Sequence, residues 1–123
     1  MLNELRWGRA QGKRPIMADG APASSTNPGT WASFASVQSG AGDGYGFMLG
    51  GGIGCYDLDH VSDGEAREII ALIPEEIIFM ERSVSGEGVH VFCRMPEGRG
   101  TRRGHVERYS RGRFIRVTGR VFR

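Results

Sequence analysis

The chain has 123 residues, a net charge of +2, and apolar and charged fractions of 39% and 24%, which are typical of one globular domain spanning residues 1–123. No apolar run approaches the roughly 20 residues that a membrane-spanning helix needs, so we expect no membrane association. The polar, basic N-terminus lacks the apolar stretch of a secretory signal, and both cysteines lie in apolar runs. We therefore expect buried free thiols and a reducing, cytoplasmic setting.

The small net charge hides an uneven distribution. Residues 1–93 carry six basic and twelve acidic side chains, whereas residues 94–123 carry ten arginines and two glutamates. The planar guanidinium group of arginine matches phosphate geometry. The basic segment therefore predicts a phosphate-bearing partner, either nucleic acid or a nucleoside triphosphate. The alternatives are a solubilising basic face and a high-GC coding bias that favours arginine over lysine.

The N-terminal third is predicted to contain one strand and one helix. The strand lies near Arg14–Met17, and Leu2–Trp7 is either a short helix or an approach to that strand. Residues 18–25, rich in small and turn-forming residues, predict a loop. The Asn27-Pro28 pair is typical of a helix start. Three apolar residues follow it at helical spacing: Trp31, Phe34 and Val37.

The middle of the chain predicts a hairpin and a second helix. Tyr45–Leu49 and Ile53–Leu58 are strand-like runs joined by three glycines, which is a β-hairpin signal. Ser62 or the next residue caps a helix over Glu65–Ile73.

The remainder predicts four strands and a basic turn at Arg99–Gly104. The four strands are Ile77–Arg82, Val89–Arg94, Val106–Tyr109 and Arg113–Val117. Short helices inserted among hairpin-connected strands favour an α+β fold with a mainly antiparallel sheet over a doubly wound fold.

Two carboxylates emerge together from the apolar run before His60. Side chains two apart in a strand project from one face, so Asp57 and Asp59 lie about 6–7 Å apart there. Like charges at this spacing are unfavourable unless a cation lies between them, and carboxylate oxygens suit Mg²⁺ or Mn²⁺. The alternative is a strand end whose two aspartates face water.

Two later segments add groups that suit phosphate chemistry. A small-residue turn precedes His90 and contains Ser83, Ser85, Gly86 and Gly88. Backbone amides in such a turn can approach phosphate oxygens, and an imidazole beside them can donate a hydrogen bond to the same anion. Glu107, in a later strand, is a plausible third carboxylate.

This ordered set resembles the archaeo-eukaryotic primase superfamily, specifically the phage and plasmid bifunctional DNA primase/polymerase domain. That family shows Asp-x-Asp followed by His, then Glu-x-Ser-x-Ser-Gly-x-Gly-x-His, and finally Glu-x-Tyr-x-x-x-Arg-Phe ending in Thr-Gly. Here these blocks are Asp57–His60, Glu81–His90 and Glu107–Gly119. The segment around Lys13 also looks like the family's opening element, so the resemblance covers nearly the whole chain.

The resemblance implies a primase-polymerase core related to the RNA-recognition-motif sheet, with a few short flanking helices. It implies template-directed nucleotidyl transfer with two divalent ions, Mg²⁺ or Mn²⁺, held by Asp57, Asp59 and Glu107. It assigns His90 to the phosphates of the incoming nucleotide. The further nucleotide-binding residues that it implies are Ser83, Ser85, Gly86, Gly88, Arg113 and Lys13. Glu81 is interpreted as orienting His90 or a neighbouring arginine.

The partners implied are nucleoside triphosphates, single-stranded DNA as template and primer, and a separately encoded replicative helicase. The implied setting is the cytoplasm of a bacterial host, with the gene carried by a phage or plasmid. Because family members usually continue past the Thr-Gly pair, the chain is expected to be a minimal or truncated form. Two other functions stay open: a catalytically silent nucleic-acid-binding module and a metal-dependent nuclease.

Overall fold

Nine strands form two separate antiparallel sheets in the computed structural model, which describes all residues from 1 to 123. In chain order the strands are β1 (Trp7–Gln11), β2 (Arg14–Ile16), β3 (Gly44–Met48), β4 (Ile53–Leu58), β5 (Ile77–Arg82), β6 (Val89–Arg94), β7 (Thr101–Arg103), β8 (Val106–Tyr109) and β9 (Phe114–Val117). One α-helix, α1, spans Asp63–Ala71, and two 3₁₀ turns span Pro28–Thr30 and Ala35–Val37. The chain divides into two compact units, each built on one sheet.

The first unit comprises residues 1–49 and 112–118 and contains the sheet β2-β1-β3-β9. Aromatic rings pack edge to face at its centre, with Trp7 4.9 Å from Phe34 and 5.1 Å from Phe47 between ring centroids. The buried guanidinium of Arg9 donates to the carbonyls of Val37, Gly40 and Ala41. This arginine therefore holds a loop in place.

The second unit comprises residues 50–111 and 119–123 and contains the sheet β5-β6-β4-β8-β7. Helix α1 begins at a capping box, because Ser62 accepts from the Glu65 amide and the Glu65 carboxylate accepts from the Ser62 amide. A cluster of apolar residues from the helix, the sheet and the C-terminal segment forms the core of this unit. Its buried members are Leu58, Ala66, Val89, Val91, Cys93, Met95 and Phe122.

The strand predictions over residues 45–58, 77–94 and 106–117 are confirmed, as is the capped second helix. The coarse fold class, α+β with mainly antiparallel sheets, is also confirmed. The helix predicted after Asn27 is wrong. Asn27 does cap a turn, but only 3₁₀ turns form there, because Trp31 is in extended conformation and ends the first of them.

The predicted hairpin between β3 and β4 is also wrong. The two strands exist, but β3 pairs with β1 and β9 in the first unit, whereas β4 pairs with β6 and β8 in the second. The three glycines between them all adopt positive φ and carry the chain from one sheet to the other. The predicted basic turn at Arg99–Gly104 contains a strand, β7. No helix in the chain is both long and apolar enough to cross a membrane.

Candidate active site

A row of ionisable side chains crosses all five strands of the second sheet. Residues directly opposite each other in an antiparallel pair share a face. Asp57 on β4 is opposite His90 on one side and Glu107 on the other. The row continues outward to Glu81, opposite His90, and to Arg102, opposite Glu107. Five residues from separate parts of the chain therefore form one row across the same face of the second sheet.

Glu81 fixes the orientation of the His90 ring. The Glu81 side chain is fully buried, and its Oε2 lies 2.9 Å from His90 Nδ1 while its Oε1 accepts from the Gly119 amide at 3.0 Å. Because a carboxylate only accepts hydrogen bonds, Nδ1 carries a proton. Nε2 then faces Asp57, with 3.8 Å between Nε2 and Oδ1, which is beyond hydrogen-bond range. This geometry agrees with the interpretation of Glu81 as the residue that orients His90.

The three predicted metal-binding carboxylates occupy neighbouring positions on that face. Asp57 and Glu107 are partly buried, and direct cross-strand pairing puts their Cα atoms about 5 Å apart. Asp59 follows β4 by one residue, and its amide still donates to the His105 carbonyl, so it continues the alternation and shares the face of Asp57.

These carboxylates point to different bases. Asp57 faces His90, Glu107 Oε1 lies 3.7 Å from Arg102 Nε on the far side of β8, and Asp59 Oδ2 lies 3.7 Å from His60 Nε2. No group of three or more His, Cys, Asp or Glu side chains stands in a metal-binding arrangement. The donor chemistry nevertheless suits a hard divalent cation, since the three groups are carboxylates on adjacent strand positions of one face.

The turn before His90 has a defined hydrogen-bond pattern. Ser83 Oγ accepts from the Gly88 amide, and Ser85 Oγ accepts from the Glu87 amide. The Gly86 amide donates to the Ser83 carbonyl. A Cβ on Gly88 would lie 2.6 Å from the Leu58 carbonyl oxygen, so only glycine fits where this turn meets β4.

The amides of Val84 and Ser85, at the tip of the same turn, have no acceptor within the chain, and both residues are exposed. His60, in positive φ, links the turn to the end of β4, because its Nδ1 lies 3.2 Å from Glu87 Oε2. The turn is therefore attached to the strand that carries the aspartates.

Lys13 and Arg113 belong to the first unit. Lys13 lies in the exposed turn between β1 and β2, and Arg113 directly precedes β9. The other predicted site residues all lie in the second unit, on or beside the row.

Cys55, two residues before Asp57, is a fully buried thiol. Burial raises its pKa well above the ordinary value, and the charge of Asp57 raises it further. The thiol is therefore protonated at neutral pH and is not a thiolate ligand.

Arg102 is a member of the row that the sequence patterns did not predict. The sequence feature that could have predicted it is the Thr101–Tyr109 segment. There, two short strand-like runs flank a Gly104-His105 turn. Gly104 has a φ of 58°, and Arg103 pairs with Val106 across a two-residue turn, which is hairpin geometry.

Neither a scan against protein-family models nor a search of curated proteins finds a match to this chain.

Proposed function

We propose that the protein is a template-directed nucleotidyltransferase of the primase-polymerase type. The observation that carries the proposal is the register of β4, which sets Asp57 between His90 and Glu107 on one face. This arrangement combines carboxylates for divalent ions with an imidazole for phosphate, as the sequence resemblance requires. The finer assignment of the fold as a primase-polymerase core is part of the same proposal.

In this proposal Asp57, Asp59 and Glu107 hold Mg²⁺ or Mn²⁺. When bound, the ions supply an activated 3′-hydroxyl and charge stabilisation at the leaving pyrophosphate. The chain's own contribution is to hold these carboxylates at neighbouring positions on one face of the sheet. The substrates are a nucleoside triphosphate and a single-stranded DNA template with its primer.

His90 binds the triphosphate through Nε2. Glu81 engages Nδ1 and so leaves Nε2 as the ring atom that meets the phosphate oxygens, where the ring stabilises the negative charge that builds up on them. The exposed amides of Val84 and Ser85 supply further donors. A replicative helicase encoded elsewhere in a phage or plasmid genome is the proposed working partner.

The test is primer extension with the purified chain, Mn²⁺ or Mg²⁺, labelled triphosphates and a single-stranded template, with and without a primer. We expect extension to depend on the template and to be abolished in Asp57→Ala and in Asp59→Ala, since either change removes a metal ligand. Asp19→Ala is the matched control, because Asp19 is an exposed loop aspartate in the first unit and should leave extension unchanged.

The alternative functions appear as distinct outcomes of the same assay. Shortened DNA would identify a metal-dependent nuclease. Binding without synthesis or cleavage, unchanged in both aspartate variants, would identify a catalytically silent nucleic-acid-binding module. Either outcome would contradict the nucleotidyltransferase proposal.

A further inference from the structure

The outer strand of the second sheet carries arginines whose charge the protein leaves largely uncompensated. We call the segment Arg99–Arg103 the basic edge; its arginines are Arg99, Arg102 and Arg103. β7 pairs only with β8, so its other side is a free sheet edge. All three residues of β7 are exposed.

Most other arginines in the chain have a defined acceptor. Those that pair with a carboxylate are Arg82, Arg94, Arg108 and Arg116, and those that donate to backbone carbonyls include Arg6, Arg9, Arg67 and Arg120. In contrast, no carboxylate or carbonyl lies within hydrogen-bond range of the Arg99 or Arg103 guanidinium. Arg102 reaches only Glu107, at 3.7 Å and with 74% of its side chain exposed. Such a pair contributes at most about 1 kcal/mol, so a phosphate can displace it.

The backbone that carries these side chains is held firmly. Ser110 Oγ accepts from the Gly98 amide at 2.8 Å and donates to the Gly98 carbonyl at 3.2 Å. A Cβ on Gly100 would lie 2.7 Å from the Tyr109 ring, so the chain passes against that ring with no space for a side chain. Arg99 is therefore fixed between two anchored glycines while its guanidinium extends into solvent.

We propose that the basic edge binds the phosphodiester backbone of single-stranded nucleic acid. Arginine forms bidentate hydrogen bonds to phosphate, and side chains on both faces of an exposed edge strand suit a flexible single strand that runs along it. The position also fits, since β7 lies two strands, or about 10 Å, from β4 and its Asp57. The identity of the strand as template or primer rests on the proposed function, whereas the binding itself does not.

The test measures binding of a fluorescent oligothymidylate by anisotropy, without divalent ions or triphosphates, across a range of NaCl concentrations. The variant is Arg99→Gln with Arg103→Gln. The matched control is Arg14→Gln with Arg94→Gln, which removes the same charge from exposed positions away from the basic edge. Urea unfolding verifies that both variants are folded.

Each phosphate contact on a single strand contributes about 0.7 to the slope of log K against log salt. The double variant should therefore lower the slope by about 1.4 and the affinity by about 25-fold near 0.1 M NaCl. The control should change both far less. Equal changes in the two variants would overturn the proposal, because the effect would then be one of net charge alone.

Two further outcomes would also overturn it. Self-association of the double variant with unchanged DNA affinity would mean that the arginines only protect the edge against strand pairing. Competition by polyglutamate as effective as that by oligothymidylate would identify an acidic polypeptide as the partner. If primer extension fails but the binding result is as expected, the proposed function is contradicted. The proposal that the basic edge binds single-stranded nucleic acid is then still supported.

Discussion

At the scale of single residues, Glu81 is the side chain on which the geometry of the row most depends. It is fully buried, and its two oxygens serve two different donors, the His90 ring and the Gly119 amide. A buried charge is tolerated only when it is paired and hydrogen-bonded. Glu81 therefore links β5 and β6 to the segment that follows β9.

Glu81→Gln should destabilise the protein by about 1–3 kcal/mol. Glutamine has the same shape but only one acceptor oxygen, so one of the two donors is left facing an NH₂ group. The measurement is the free energy of unfolding in urea. Glu87→Gln is the matched control, because that carboxylate is exposed and pairs only with exposed His60, so its loss should be nearly neutral. Equal losses in the two variants would contradict the assigned role of Glu81.

At the scale of elements, local hydrogen bonds set where α1 begins, and apolar packing sets its position against the sheet. The Ser62–Glu65 capping box satisfies two amides of the first turn. Ala66 is fully buried, and Ile69 and Ile70 pack against the apolar cluster on the face of the sheet opposite the row. The helix thereby leaves the face of Asp57 and Glu107 uncovered by any helix of this unit.

Ser62→Ala should cost about 1 kcal/mol of unfolding free energy, because the Glu65 amide loses its acceptor. Ser39→Ala is the control, since Ser39 is exposed and makes no hydrogen bond in the structure. Urea unfolding followed by circular dichroism measures both variants. A loss in Ser62→Ala no larger than that in Ser39→Ala would mean that the box contributes nothing to the helix.

At the scale of the whole molecule, a polar network on the helix side of the second sheet makes stability depend on pH. Glu75 accepts from Tyr56 at 2.6 Å and from Arg108 at 2.8 Å. Desolvation acts to raise the pKa of Glu75, but these two hydrogen bonds, together with one from the Glu75 backbone amide and the positive charge of Arg108, hold the pKa below its ordinary value of 4.5. The same network raises the pKa of Tyr56, through burial first and the hydrogen bond to Glu75 second.

A carboxylate whose pKa is lowered by folding contributes stability above its unfolded pKa, and loses that contribution as the pH falls through the folded value. The urea midpoint should therefore drop as the pH is lowered from 7 through 4.5 and below. Glu75→Gln should be less stable at pH 7 and show a smaller drop. Glu76→Gln, next to it and exposed, should retain the wild-type drop. If the urea midpoint of Glu75→Gln falls with pH as much as that of the wild type, protonation of Glu75 does not cause the pH dependence of stability.

Local sequence determined several features, because each of them depends only on residues that are a few positions apart in the chain. Alternation along 53–59 indicates that Asp57 and Asp59 share a face, and Ser62, one of two candidate caps, indicates where α1 begins. Most strands were predicted for the same reason. The α+β class followed from their number and the short helices between them.

Only the tertiary structure decided which strands became neighbours. β3 and β4 are separated by four residues and still joined different sheets, because a strand's propensity does not specify its partner. Spacing at Trp31 to Val37 suggested a helix, but ring packing in the first unit takes precedence over that local pattern. The row from Glu81 to Arg102 exists because four separate registers agree, and register is set by burial of whole strands rather than by the residues that the row contains.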